Sequence, residues 1–325
     1  MLARADSHGT ERLPDASPVA FPVWARAKNP GESEAEAAFL AGAGLARLDS
    51  LVRENPQWFG VFRQRLALAA AVATVGRAGR AEDETALRDA LQLTRPGDDP
   101  GPAGRRLLAW RALAARSTGM WRQSFDAAVA ILGVERGEGL QAAVEAAEAC
   151  AAGHRLAPFA AARAYELARR ALAPAAGRAG AGEGELLAVW LADSVLAQKL
   201  KWPFELPLLA GELFSAAGRR AAGDLGDGAE TTRIMFGYAR AAARACDLAA
   251  ELGRRAEKLH EAAPKLRAKG ARAALGALLD EDCLSAATRI TGLSERGARR
   301  LFDRLVSLGA IRELTGRATF RLYGL

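Results

Sequence analysis

Apolar residues recur every three to four positions along most of the chain beyond residue 33, the period of a helix with one buried stripe. Ser33, with Glu36 three residues on, reads as an N-cap with its capping-box partner. Ala38, Phe39, Gly42, Leu45, Leu48 and Val52 follow at helical spacing, so a first helix is expected to end near Arg53. Pro56 suits the first turn of a second helix, which carries Trp58, Phe62, Leu66 and Ala69 on to Gly76. Similar amphipathic patterns predict helices over 82–93, 102–116, 121–132, 140–152, 158–172, 185–200 and 230–262, with Gly/Pro-rich breaks at 95–104, 174–184 and 218–228.

After residue 263 the rhythm changes. The pattern predicts a helix over 264–279, a short one over 285–290, a Thr291-Gly292-Leu293 turn and a longer helix capped by Ser294. Two short β-type runs, 311–314 and 319–323, are joined by a Thr315-Gly316 turn into a hairpin. Three helices and a hairpin in that order form a winged helix-turn-helix pattern. The expected fold is therefore mainly all-α: a poorly ordered leader over 1–32, a helical bundle over 33–262, divided into two lobes around 174–184, and a C-terminal winged helix-turn-helix domain over 263–325 with a short β-hairpin.

The helix beginning at Ser294 separates its residues sharply. At one hundred degrees per residue, Ala298, Leu301, Phe302, Leu305 and Leu308 gather on one side, while Arg296, Arg299, Arg300, Asp303 and Ser307 form a stripe opposite. A helix docked by its apolar face and presenting guanidinium groups is what reading a DNA groove requires. Arginine either pairs bidentately with guanine or clamps phosphates. Arg304 belongs to the same candidate set, and Arg317, at the expected hairpin tip, would reach the DNA backbone or minor groove. Lys265, Lys269 and Arg272, at offsets of four and seven, would share one face of the preceding helix and add phosphate contacts.

Charge strengthens that reading once it is located. The formal net charge is +7, and residues 264–325 hold twelve basic against six acidic side chains, so almost the whole surplus lies in the last 62 residues. Such asymmetry points to a polyanionic partner. The bland counter-reading is coding bias, since thirty-nine arginines accompany only six lysines.

Composition mostly removes options. Alanine, the best interior helix former, supplies roughly a quarter of the residues. The longest uncharged apolar run, Leu66 to Val75, is about half a bilayer span, so no membrane protein is expected. Residues 1–22 lack the apolar segment of a secretory signal, and a cytoplasmic address is the default. Cys150, Cys246 and Cys283 lie far apart without a Cys-x-x-Cys pair, and His8, His154 and His260 are isolated, so neither a disulfide framework nor a metal site nor a catalytic triad is indicated. Asp98 and Asp99 read as turn and cap residues for the helix beginning at Pro102 rather than as a cation site. Asp193 and Gln198 interrupt an apolar helix, and an ion pair from Asp193 to Arg63, Arg65 or Arg88 is the expected remedy. The six tryptophans, spread singly, are expected to be core anchors.

Two resemblances bear on function. From Gly292 through Ser294, Ala298, Arg299, Leu301, Leu305, Gly309, Ile311, Glu313, Thr315, Gly316 and Arg317, the sequence resembles the C-terminal winged helix of many Fic-family adenylyltransferases. The Fic motif itself, His-Pro-Phe followed by Gly-Asn-Gly-Arg, is not matched: the nearest string is His154-Arg155-Leu156-Ala157-Pro158-Phe159, followed by alanines. The family's chemistry is not carried over, and a degenerate relative without catalysis is the form that likeness would take. From about Phe21 to Leu325 the chain also resembles an uncharacterised bacterial family known only as a domain of unknown function. That likeness rests on the Arg95–Pro102 stretch, Trp190-Leu191-Ala192-Asp193, Trp202-Pro203 with Pro207-Leu208-Leu209-Ala210, Pro264-Lys265-Leu266-Arg267-Ala268-Lys269-Gly270 and Phe320-Arg321-Leu322-Tyr323-Gly324-Leu325. It implies a common architecture and no activity.

The resulting expectation is a non-enzymatic DNA-binding protein, a transcriptional or replicon-associated regulator, with no cofactor, no metal, no identifiable small-molecule ligand, and a two-fold homodimer as its working form. The alternative is an interaction or adaptor protein whose winged domain docks on another protein.

Overall fold

The computed structural model describes residues 20–27, 33–95, 97–115, 117–173, 181–215, 229–317 and 319–325. Twelve α-helices and a three-stranded sheet are present among them. The first seven helices are α1 (Glu34–Glu54), α2 (Phe59–Arg77), α3 (Glu84–Gln92), α4 (Gly101–Ala115), α5 (Trp121–Leu132), α6 (Glu138–Ala152) and α7 (Ala157–Leu172). They are followed by α8 (Ala181–Leu200), α9 (Ala210–Leu213), α10 (Ala229–Ala262), α11 (Ala271–Asp280) and α12 (Glu295–Ser307). The strands are β1 (Leu284–Ser285), β2 (Arg312–Glu313) and β3 (Leu322–Gly324), in the order β1-β3-β2 with both pairs antiparallel.

Local chemistry sets the boundaries. Ser33 Oγ accepts from the Glu36 amide at 3.2 Å and starts α1, and Asn55, in the left-handed region at φ 43°, ends it. Gly133, at φ 68°, closes α5 in the same way, and Pro158 sits in the first turn of α7, where its missing N–H costs nothing. The Arg95–Pro102 stretch turns the chain through Asp99, whose carboxylate accepts from the Gly101 amide at 2.9 Å and pairs with Arg105 at 2.9 Å.

The long α10 packs along α1, α7 lies against α6 and α8, and α4 is sandwiched by α2 and α5. Helix α8 is not amphipathic: every residue from 186 to 197 is buried, as befits a helix enclosed on all sides. One apolar core runs without interruption from Leu40 and Phe62 through Trp190 to Leu278, Phe302 and Tyr323, so the C-terminal unit is packed onto the helical region.

Several expectations change. The leader is anchored where it is described: Phe21 and Ala25 are buried against Ala243, and Arg26 makes two bonds to Asp247 at 2.7 and 2.9 Å. Residues 1–19, 28–32, 174–180 and 216–228 lie outside the described residues, and with them the rest of the leader, most of the expected division into lobes and the break at 218–228. Of the tryptophans, Trp110, Trp190 and Trp202 are core anchors, whereas Trp24 is 66% exposed beside Phe39. The helix expected over 264–279 breaks at 266–270, because a β-carbon on Gly270 would lie 2.6 Å from Leu293 Cγ and 2.8 Å from Thr291 O; only glycine lets the two segments pass. Residues 285–290 form no helix, since the Ser285 amide donates to Thr288 Oγ1 at 3.0 Å and the segment closes as a turn. The hairpin strands are shorter than expected, which leaves 314–321 as their connection.

Candidate nucleic-acid interface

The candidate interface is built on α12. Ser294 Oγ accepts from the Gly297 amide at 3.1 Å, capping the helix and fixing its entry angle. Ala298, Leu301, Phe302 and Leu305 are buried, and the Phe302 ring lies 5.0 Å from that of Tyr323 on β3, which seats the helix on the sheet. Arg296, Arg299, Arg300 and Arg304 are all exposed. Arg299 pairs with Glu295 at 3.1 Å one turn earlier, which dilutes its charge. Arg296, Arg300 and Arg304, spaced four apart along the helix, have no ion-pair partner among the described residues.

The other predicted contacts divide. Lys265, Lys269 and Arg272 are exposed, but they do not share a helix face: Lys265 ends a 3-10 turn, Lys269 lies in the following turn and Arg272 in the first turn of α11. The Gly270 close approach nevertheless brings the chain at Lys269 against Gly292, beside the start of α12. Arg317 is not at a free tip. It forms an ion pair with Asp89 of α3, because the buried strand β3 draws the hairpin down onto the helical region.

Two further features escaped the sequence reading. Asp282, fully buried just before β1, is gripped by two arginines of the helical region: Arg65 Nε at 2.7 Å from Oδ1, and Arg88 through Nε at 2.8 Å to Oδ2 and Nη2 at 3.1 Å to Oδ1. Arg65 Nη2 also donates to the Leu325 oxygen at 3.0 Å. Burial alone would lower the pKa of Arg88, but the bonds to Asp282 outweigh it and hold the cation.

The second feature lies in the core. Asp193 pairs with none of Arg63, Arg65 or Arg88; its carboxylate accepts instead from the amides of Leu208 at 3.0 Å and Leu209 at 3.3 Å, and thus caps α9 from across the fold. Arg63 is drawn to the Ala114 carbonyl and over the Phe204 ring, and the other two arginines are engaged by Asp282. Beside Asp193 sits Glu205, fully buried, with neither carboxyl oxygen in a well-formed hydrogen bond; Ser194 and Tyr238 offer their hydroxyls to Glu205 and Asp193 at looser geometry. Burial pushes both acids up to about 8, and their mutual repulsion adds to the shift at Glu205. A protonated Glu205 donating toward Ser194, with Tyr238 donating toward Asp193, satisfies the cluster with a single charge. The signal in the sequence was Glu205 itself, an acid set between Phe204 and Leu206.

Among the described residues, no group of three or more His, Cys, Asp or Glu side chains is arranged to hold a metal ion, and no helix is long and apolar enough to cross a membrane. The three cysteines are unpaired, and burial raises the pKa of each thiol, to about 11 at Cys246 and about 12 at Cys283.

No curated protein matches the chain at significant similarity. A family model described as a protein of unknown function (DUF1403) does match, over residues 10–325. Its span takes in both the buried core of α8 and the arginine face of α12, and the chain belongs to that family.

Proposed function

We propose that this protein binds duplex DNA through its C-terminal unit, with α12 as the helix that enters the groove. The observation that carries the reading is the row Arg296, Arg300 and Arg304, exposed and unpaired among the described residues, opposite a face that docks on the sheet. The order α11, β1, α12, β2, β3 with sheet order β1-β3-β2 supports a winged-helix unit, although 286–290 are turns where a helix was expected. Lys269 and Arg272 flank the start of α12 and add cationic surface. Phosphate contacts supply affinity, and guanidinium groups at groove depth supply discrimination. The regulator role and a two-fold dimer belong to the same proposal, since paired half-site contacts raise affinity.

The full-length protein tests it. Anisotropy of labelled duplexes over a salt series is expected to show affinity falling steeply with salt, and Arg300→Ala with Arg304→Ala is expected to lower the slope by about one for each phosphate that is no longer neutralised. Binding that is absent at low ionic strength, or indifferent to both substitutions, overturns the reading.

A further inference from the structure

We propose that Phe320 is a wedge that inserts at a base step of duplex DNA, from the minor groove, beside the place taken by α12; the proposal rests on the DNA-binding reading above. Phe320 is 72% exposed, although only two residues later the chain is buried through Leu322, Tyr323, Gly324 and Leu325. A large apolar ring so close to a buried strand would ordinarily fold into the core. Here the turn holds it out.

The turn is braced at several points. The Leu314 amide donates to Leu322 O at 2.8 Å, the Leu322 amide to Thr315 Oγ1 at 3.4 Å and Arg321 Nε to Arg317 O at 3.1 Å, while the Arg317 side chain is fixed to Asp89. Phe320 itself has φ 54°, a left-handed backbone that is an outlier for a bulky side chain. Strained positions of this kind persist where the surroundings over-determine them, and they cluster at sites of ligand contact.

The ring also stands on the relevant side of the molecule. Its neighbour Arg321 reaches within 4.0 Å of Asp303, which belongs to the exposed stripe of α12 that carries the arginines. The arrangement is an aromatic plane next to an arginine and alongside an unneutralised cationic helix face. Phosphates match the cations, and an opened base step offers the flat apolar surface that the ring lacks. Apolar wedges of this type kink the duplex most readily at pyrimidine–purine steps.

The experiment uses the full-length protein and about 30-bp duplexes with a central TA or CA step, labelled at the ends for energy transfer and carrying 2-aminopurine at the step. Binding of the parent protein is expected to raise 2-aminopurine emission and shorten the end-to-end distance. Phe320→Ala is expected to abolish both signals and to weaken binding by about tenfold or more, and Phe320→Trp to restore them. If the parent protein binds in a salt- and arginine-dependent way while the 2-aminopurine signal stays flat and Phe320→Ala binds within about twofold, the wedge is overturned and the DNA reading stands. If no duplex is bound at low salt, the reading and the wedge fall together. An unchanged thermal midpoint for Phe320→Ala is expected from its exposure, and it separates failed insertion from failed folding.

Discussion

Along α8 every residue from 186 to 197 is buried, whereas α12 buries only Ala298, Leu301, Phe302 and Leu305 and sets four arginines in solvent. The two helices treat polar groups in opposite ways. Asp193 lies inside, where its carboxylate is committed to the Leu208 and Leu209 amides, so its chemistry is consumed by holding α9 in place. Arg296, Arg300 and Arg304 lie outside, with no ion-pair partner among the described residues, so their charge remains for something that arrives from solution. A polar residue matched inside a fold stabilises it; one left unmatched on a rigid, exposed face points to a partner.

The joint between the two regions is the place to break this comparison most severely. Asp282→Ala removes the only buried counter-charge bonded to both Arg65 and Arg88 among the described residues and leaves two cations facing an apolar core. Breaking a buried pair in this way costs about 3–5 kcal/mol, readable as a shift in the midpoint of urea unfolding. A loss below about 1 kcal/mol would show that the packing of α11 on α2, not the ion pairs, holds the regions together.

The acids of the core give the next largest effect, and they differ from one another. Asp193→Ala leaves two buried amides without an acceptor, at about 1–3 kcal/mol each, while Glu205→Gln removes an acid that is already best neutral and is expected to be tolerated or stabilising. Their pH dependence has a definite sign. Both carboxyls keep their proton up to about 8 in the folded chain, against 3.8 and 4.5 in ordinary surroundings, so the folded state binds more protons between those limits. Stability contributed by these groups therefore rises as pH falls from about 8 toward 4 and is flat above that window. Thermal midpoints measured at stepwise pH are expected to follow that slope in the parent protein and a shallower one in Glu205→Gln. An identical slope in the two would place the proton elsewhere.

How much of this was legible in the sequence depends on the range of the interaction. Ser33, Pro158 and Ser294 act on amides within a few residues, and the helices they start were found with nearly their true limits; 121–132 was found at its observed bounds. The arginine stripe of α12 was legible for the same reason, since helical period alone decides which residues face out. Asp282 was not, because its partner Arg88 is 194 positions away and because the run Asp280-Glu281-Asp282 reads as an exposed acidic trio. The ion pair expected for Asp193 failed likewise: the charge pattern suggested an arginine, but amides at the start of a four-residue helix were nearer. Arg317 looked free because a hairpin tip usually is, and only the packing of β3 brings Asp89 within reach. The sequence-to-structure link is therefore firm for caps and faces and weak for partners across the fold.

A third prediction sharpens the contrast at the start of α12. Ser294→Ala removes the bond to the Gly297 amide and is expected to cost about 1 kcal/mol of stability, with a larger fraying of the helix end seen in amide exchange at 295–298 than anywhere in α8. Protection that stays uniform would mean that packing of Leu301 and Phe302, not the cap, fixes the helix start.

The smallest change in stability is expected where the largest change in binding is. Arg300 and Arg304 are exposed and make no ion pair among the described residues, so each can become alanine with a shift in unfolding free energy inside about 0.5 kcal/mol. Alanine has the higher helix propensity, and three or four like charges on successive turns repel, so the sign of that shift is expected to favour the variant, most clearly at low salt. The same substitutions are neutral for an arginine row that is only a product of coding bias, in binding as well as in stability. Urea unfolding at two ionic strengths, set beside duplex affinity in the same buffers, separates the cases: a face kept for a polyanion loses affinity while it gains or holds stability. If stability falls by more than about 1 kcal/mol instead, the guanidinium groups are structural, and the distinction drawn between α8 and α12 fails at the helix meant to illustrate it.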